Sequence, residues 1–153
     1  MSSIVERLDA LGIQLPELPK PNGLYRTWIV ENGIFSTAGQ LSRDGDQVIS
    51  GPIGKNDDIE IARVAARLCI LRCLSVAQSA LSSLNEIDSI LSLRGFIAAT
   101  PEFTEHSKVL DSSSELLINL FGDAGQHIRT AVGVTSLPGG GLVEIEMTAR
   151  IRS

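Results

Sequence analysis

The chain has 153 residues, an apolar fraction of 43% and a formal net charge of −5, which are the size and composition of one ordinary globular domain. Its arginines and lysines form no stripe able to neutralise nucleic-acid phosphates, and three arginines on one candidate helix have acidic neighbours. The start, MSSIVERLDALG, has no basic region followed by an apolar run, and no apolar run reaches the roughly 18 residues of a membrane span. We therefore expect one cytoplasmic domain over residues 1–153 that binds neither nucleic acid nor a membrane.

Residues 1–21 predict a short helix followed by an extended connector. Ser3 and Glu6 have the spacing of a capping box, and Gly12 ends the helix. Three prolines within residues 16–21 keep the following segment extended. Asn32-Gly33 then predicts a β-hairpin, because both residues tolerate the positive φ of a tight hairpin turn.

A long helix is predicted from about Asp58 to Ser83, with Asp57 as its N-cap and Glu60 three residues later. Its middle is apolar around much of the circumference, which is typical of a helix covered on more than one side. A sheet is one expected cover, and a neighbouring subunit is a candidate for the other.

Cys69 and Cys73 share one face of this helix, and free cysteines usually pack as small hydrophobic residues. A metal site needs further ligands at suitable spacing, and the two histidines, His106 and His127, form no such pattern. We expect both cysteines in the core, both histidines in structural or surface roles, and neither a metal nor a cofactor.

The second half of the chain predicts a strand, a helix and two more strands. The first strand covers residues 87–100, before Pro101, and its apolar residues are expected on one face: Ile87, Leu91, Leu93 and Ile97. The helix spans roughly Ser107 to Phe121, with Ser112 as the cap of its regular part. Strands on either side of crossover helices predict a mixed sheet with two helices on one face, an α+β fold.

The last two strands are predicted to form a hairpin with its turn at residues 138–141, so that Thr135 lies beside Glu144. One face of this hairpin is expected to pack on the helices and carries Val132, Val134, Val143, Ile145 and Met147. The other face carries Arg129 next to Ala131 and Gly133, which leave a shallow trough. A planar guanidinium in such a trough suits a small carboxylate ligand. The alternative is that Arg129 only ends the strand or pairs with a surface carboxylate.

In this hairpin Arg129 and Glu144 are separated by about 20 Å, at roughly 3.3 Å per residue. They do not meet within one chain. Together with the apolar long helix, this separation predicts a cyclic homo-oligomer with sites between subunits.

The stretch RTAVGVTSLPGGGLVEIEMTA, with NGLYRTWIVENGIFSTAGQ upstream, resembles the Rid/YjgF family of imine deaminases, in a longer-chain branch. The resemblance covers residues 22–151. It implies a chorismate-mutase-like fold, a homotrimer and clefts between subunits. It also departs from the family pattern: a family serine is replaced by Ala38, a cysteine by Ala131, and an asparagine of the second helix by Leu110.

The resemblance implies that Arg129 binds the carboxylate of a 2-imino acid and that Glu144 directs the attacking water. Tyr25 is expected near the cleft, as wall or hydrogen-bond donor, and the backbone N–H of Ala131 is a candidate ligand contact. The expected activity is hydrolysis of 2-imino acids to 2-keto acids and ammonia. The alternatives are a trimeric module that binds a small carboxylate metabolite without turnover and, with little support from the residues, an endoribonuclease.

Overall fold

The computed structural model describes residues 2–153. Three α-helices and eight strands follow one another along the chain. They are α1 (Ile4–Ala10), β1 (Trp28–Glu31), β2 (Ile34–Thr37), β3 (Gln40–Leu41), β4 (Arg43–Asp44), β5 (Gln47–Val48), α2 (Ile59–Leu81), β6 (Ile87–Ala98), α3 (His106–Phe121), β7 (Ile128–Val134) and β8 (Val143–Ile151).

One mixed sheet organises the fold, with strand order β1-β2-β8-β6-β7, and β3 pairs with the start of β8. The pair β6–β7 is parallel, whereas β1–β2, β2–β8 and β6–β8 are antiparallel. Helices α2 and α3 pack on one another, and their buried apolar side chains join those of β6 and β8 in one core. The predicted α+β fold with a mixed sheet is confirmed.

The hairpin and the first cap agree with the sequence predictions. The turn between β1 and β2 has positive φ at Asn32 (53°) and Gly33 (76°). Ser3 caps α1, and Ser3 and Glu6 make the two reciprocal bonds of a capping box. The local residue pattern determines both features, because neither depends on distant contacts.

The predicted caps of the two long helices are wrong. Asp58, not Asp57, caps α2 through the backbone N–H of Glu60, and the Asp57 carboxylate accepts a hydrogen bond from Gly54 N. Helix α3 begins at His106 without a side-chain cap. The Ser112 hydroxyl instead donates to the backbone oxygen of Arg63 in α2, so it joins the two helices.

Helix α2 is covered on both sides by its own chain along its second half. Ser75 Oγ donates to the backbone oxygen of Pro16 at 2.8 Å, so the proline-rich connector lies along the helix away from the sheet. Ile61 and Val64, in the first half, are exposed. Contacts within one chain therefore account for most of the apolar surface of α2, and a neighbouring subunit is not needed to cover its second half.

Helix α2 is the one helix within residues 2–153 that is long and apolar enough to cross a membrane, by length and composition only, and half of its most apolar window is buried within the fold. Cys69 and Cys73 are fully buried on it, with free thiols. This helix is the central core element, as a helix covered by a sheet and a second helix must be apolar.

The face assignment of β6 is wrong at Leu91. Irregularities in the pairing with β8 fall between Ile87 and Ser89 and between Ile90 and Ser92. Each β-bulge inserts an extra residue and shifts the alternation of side chains. Ile90 is therefore buried, while Leu91 is only partly buried.

The predicted final hairpin is also wrong, because β6 lies between β7 and β8. Leu93 of β6 is level with Arg129 on one side and with Met147 on the other. Helix α3 provides the crossover that a parallel β6–β7 pair requires. Strand β7 thus becomes an edge strand, and its side chains follow the register of β6 rather than that of β8.

Candidate functional site

Arg129 lies on the helix-covered face of the sheet, because its register partner Leu93 is buried in the core. Its Nη1 donates to Asp111 Oδ1 and Ser114 Oγ, each at 2.9 Å. Its Nη2 donates to Ser107 Oγ at 2.7 Å and to Ser107 O at 3.2 Å. The side chain is 18% exposed and forms an ion pair with Asp111. Within one chain, helix α3 therefore holds and neutralises this guanidinium.

The trough predicted beside Arg129 is filled by α3. A Cβ on Gly133 would lie 2.6 Å from His106 Nε2, so this glycine makes room for the imidazole. Leu110 fills the space over Gly95 in the same way and is fully buried. Leu110 is therefore a core residue and not part of a ligand pocket.

Ala131 combines a half-buried side chain with an amide at the free edge of the sheet. Val134 O accepts a hydrogen bond from Ala99 N, so Val134 points toward the interior of the sheet. Since residues alternate along a strand, the N–H of Ala131 points outward from edge strand β7. This amide is accessible to a ligand or a second chain arriving at the edge.

Glu144 lies on the other face of the sheet, in a cavity of about 320 Å³. Its register partner Phe96 is on the same uncovered face. The cavity is at the margin of the sheet, where β3 replaces β2 as the strand that pairs with β8. Gly39 leaves room there for the Glu144 side chain, because a Cβ at this position would lie 2.6 Å from Glu144 Oε1.

Tyr25 and Ala38 line the same cavity as Glu144. The Tyr25 ring is 50% exposed, and its hydroxyl accepts a hydrogen bond from Asn22 N at 3.1 Å. The phenolic proton remains available to a ligand. The structure therefore brings Tyr25 and Glu144 together and leaves Arg129 and Ala131 at a different edge of the sheet.

Burial raises the pKa of the Glu144 carboxyl from its ordinary value, and the nearby charge of Glu146 raises it further. Desolvation disfavours the ionised form of a carboxylic acid. Glu146 itself pairs with Arg94 on the open face. A carboxylate of this kind is a stronger base than an exposed glutamate and suits proton transfer.

Three cationic residues of the Glu144 cavity were missed by sequence reasoning. Lys20, Arg43 and Arg72 line it together with Glu144. Arg72 belongs to the apolar run of α2, and an arginine inside a core helix was the available signal. Lys20 and Arg43 come from the connector and a short strand, and no periodic pattern relates them to Arg72.

The two histidines have contacts typical of structural roles. His127 Nδ1 donates to the backbone oxygen of Gly125 at 2.7 Å, which leaves Nε2 to accept from Ser114 Oγ at 2.9 Å. His106 packs edge-on against Phe103. No group of three or more possible metal ligands occurs within residues 2–153.

The core prediction for the two cysteines is confirmed. Cys69 Sγ and Cys73 Sγ point at the backbone oxygens of Val143 and Ile145. Burial raises the pKa of the Cys73 thiol to about 12 and that of Cys69 well above its ordinary value. Neither thiol is a nucleophile at neutral pH, because the thiolate is the reactive form.

Nearly the whole chain is similar to known proteins. Residues 5–150 match the family model described as "YjgF/chorismate_mutase-like, putative endoribonuclease". The chain is 32% identical to Protein TCP17 of Trypanosoma cruzi over 152 residues, which are 98% of this chain and 95% of that protein.

Two solved structures are similar in both sequence and fold. The protein Atu1372 of Agrobacterium tumefaciens, of unknown function, is 32% identical, with a TM-score of 0.89 over 97% of this chain and 92% of that one. A Shewanella oneidensis protein described as "a putative endoribonuclease" is 27% identical, with a TM-score of 0.93 over 98% and 100% of the two chains. The chain therefore belongs to the YjgF/chorismate-mutase-like family.

Proposed function

We propose that this protein hydrolyses 2-imino acids to 2-keto acids and ammonia in clefts between the subunits of a homotrimer. The observation that carries the proposal is the half-buried Glu144 carboxylate, which shares a cavity with Tyr25. Burial raises its pKa, as expected of a general base near neutral pH. The reaction needs no cofactor, because the imine carbon is already electrophilic.

In this mechanism Glu144 takes a proton from a water molecule as the water oxygen adds to the imine carbon. The C=N bonding pair moves to nitrogen, which receives the proton from the Glu144 carboxylic acid. A second proton transfer, from the new hydroxyl to the amine, releases ammonia as the C=O bond forms. The Tyr25 hydroxyl has a proton that it can donate to the imine nitrogen or to the oxygen that adds to the carbon.

Arg129 binds the substrate carboxylate in this proposal, and it belongs to a different subunit from Glu144. Their register positions put them two strands apart and three residues along the sheet. That is about 14 Å between backbones, at roughly 4.8 Å per strand and 3.3 Å per residue. The open-edge N–H of Ala131 lies on the same strand as Arg129 and supplies a second carboxylate contact.

Subunit complementation tests the shared site directly. Arg129→Ala and Glu144→Gln chains, each inactive alone, are refolded together and assayed with 2-imino acids generated by an amino-acid oxidase. In mixed oligomers, an Arg129 from one chain meets a Glu144 from the other, so activity returns in a fraction of the clefts. Continued inactivity of a mixed oligomer, with active wild type refolded in parallel, contradicts a site shared between subunits.

The leading alternative is a trimeric module that binds a small carboxylate metabolite without turnover. The cavity around Glu144 favours it, because Lys20, Arg43 and Arg72 equip that cavity to hold an anion. Binding of a keto acid by wild type, without any consumption of imine, supports this alternative. RNA cleavage has little support, since the chain carries a net charge of −5 and a basic groove is the usual requirement.

A further inference from the structure

The cavity that contains Glu144 has an excess of positive charge. Lys20, Arg43 and Arg72 line it, with Glu144 as the single acidic residue. Its formal charge is +2 in a chain whose net charge is −5. A cleft lined by one sign of charge raises the local concentration of oppositely charged ligands.

Among the described residues, Arg72 has no carboxylate in ion-pair contact, and the charge of Asp44 is the last and smallest of the influences on its pKa. Within residues 2–153 it forms no ion pair, and its one hydrogen bond runs from Nη1 to the backbone oxygen of Arg43 at 2.7 Å. Its Nε is buried without a hydrogen-bond partner. Burial lowers the pKa of Arg72 from its ordinary value, although the group stays charged. A half-buried cation of this kind gains from an anion delivered by a ligand.

Arg43 and Lys20 line the cavity together with Arg72, and we call these three residues the cationic wall. Arg43 Nε donates to Gly45 O, and its guanidinium has only a 3.7 Å contact with the fully exposed carboxylate of Asp46. Lys20 forms no ion pair within the described residues. The same three cations also line a neighbouring cavity, where Glu17 and Asp46 are the acidic residues, so they separate Glu144 from those two carboxylates.

We propose that Arg72, together with Arg43 and Lys20, forms a second carboxylate-binding subsite beside Glu144, so that the preferred substrates are 2-imino dicarboxylates. The inference rests on the proposed function for its first carboxylate, which binds Arg129 of another subunit. The second carboxylate, at the end of the substrate side chain, binds Arg72. Guanidinium groups suit this task, because their N–H pairs match carboxylate oxygens.

Binding of a matched pair of keto acids tests the subsite without relying on turnover. 2-Oxoglutarate and 2-oxopentanoate have the same chain length, and a terminal carboxylate replaces a methyl group in the former. Titration calorimetry of the assembled protein is expected to show about tenfold tighter binding of 2-oxoglutarate, a preference that weakens with added salt. Equal affinity for the two keto acids overturns the proposal.

Single variants test whether the cationic wall causes the preference for 2-oxoglutarate over 2-oxopentanoate. Arg72→Gln is expected to remove most of the preference for 2-oxoglutarate, which is measured as the ratio of the two dissociation constants. Arg43 and Lys20 lie outside the core, and Arg43→Gln and Lys20→Gln are each expected to reduce the preference for 2-oxoglutarate by about two- to threefold. These two variants keep the test valid should Arg72→Gln fold poorly. Arg67→Gln, at an exposed position of the same helix, is the matched control. A preference unchanged in all three variants also overturns the proposal.

A separate assay distinguishes failure of the subsite from failure of the proposed activity. Imines generated from glutamate and from norvaline are compared as substrates of wild type and Arg72→Gln. Turnover of both imines at equal kcat/KM refutes the subsite and keeps the deaminase. Absence of turnover, with a persistent preference for 2-oxoglutarate, refutes the deaminase and keeps the subsite.

Discussion

Arg129 and Glu144 lie on opposite faces of the same β-sheet. Arg129 is level with buried Leu93 and bonds to α3, whereas Glu144 is level with Phe96 on the face that no helix covers. Within one chain the two candidate residues therefore lie apart, Arg129 at the edge strand and Glu144 at the margin between β2 and β3. Any chemistry that uses both residues requires two copies of the chain.

Glu144→Gln is expected to abolish imine hydrolysis, with a loss of at least about 100-fold, because the general base is removed. In wild type, the acidic limb of the kcat/KM profile lies above the ordinary glutamate pKa, since the carboxylate must be ionised to act. The measurement is a pH–rate profile of wild type. An acidic limb at the ordinary glutamate value contradicts this role.

The same substitution is expected to stabilise the protein at neutral pH. The folded-state pKa of Glu144 is raised, so any stability linked to its protonated form is present at low pH and is lost as pH rises through that pKa. Glutamine carries no charge to desolvate, so the melting temperature of the variant rises relative to that of wild type as pH rises. Melting curves at pH 4 and 7 measure this difference, and a constant difference across pH contradicts it.

Asp111→Asn is expected to weaken the fold and strengthen keto-acid binding. Asp111 neutralises Arg129 at 2.9 Å, so an incoming carboxylate must compete with it. The ion pair is half exposed, and its loss costs about 1 kcal/mol of unfolding free energy. Affinity for a 2-keto acid rises several-fold, as measured by calorimetry on the assembled protein. Glu115→Gln, on the same helix and near Arg63, is the control, and equal affinity in both variants contradicts competition by Asp111.

Gly95→Ala is expected to cost about 1–3 kcal/mol of unfolding free energy. The new Cβ would lie 2.8 Å from Leu110 Cδ2, inside the core. Leu110→Ala alone costs about 2–5 kcal/mol. The double variant loses at least about 1 kcal/mol less than the sum, because the new methyl group fills the space vacated by leucine. Denaturant unfolding measures the cycle, and Ile118→Ala, an exposed position of α3, combines additively.

Ser42→Ala is expected to destabilise the start of β8. Its buried hydroxyl accepts from Leu142 N and Val143 N and donates to Ile49 O. A buried N–H left without a partner costs about 1–3 kcal/mol of unfolding free energy. Ser36→Ala is the control, because that hydroxyl has only a 3.5 Å contact with Thr148. Hydrogen exchange at Val143 and Glu144 reports the local loosening, and unchanged exchange there contradicts the prediction.

Local sequence patterns determined much of this fold. The Ser3–Glu6 capping box, the Asn32-Gly33 turn and the apolar length of α2 each depend on interactions within a few residues. The alternation along β8 was also correct, since Val143, Ile145 and Met147 are buried. Features that depend only on residues close together in the sequence can be predicted without knowing which strands become neighbours.

Tertiary structure alone decided where the candidate residues lie. The motif around Arg129 and Glu144 predicted a hairpin, yet β6 separates the two strands and reverses the face on which Arg129 is found. Bulges in β6 similarly moved Leu91 out of the buried row. Strand order and bulges depend on pairing between distant segments, which local periodicity does not record. The cationic wall of Lys20, Arg43 and Arg72 exists for the same reason, because folding alone brings a connector, a short strand and a core helix around Glu144.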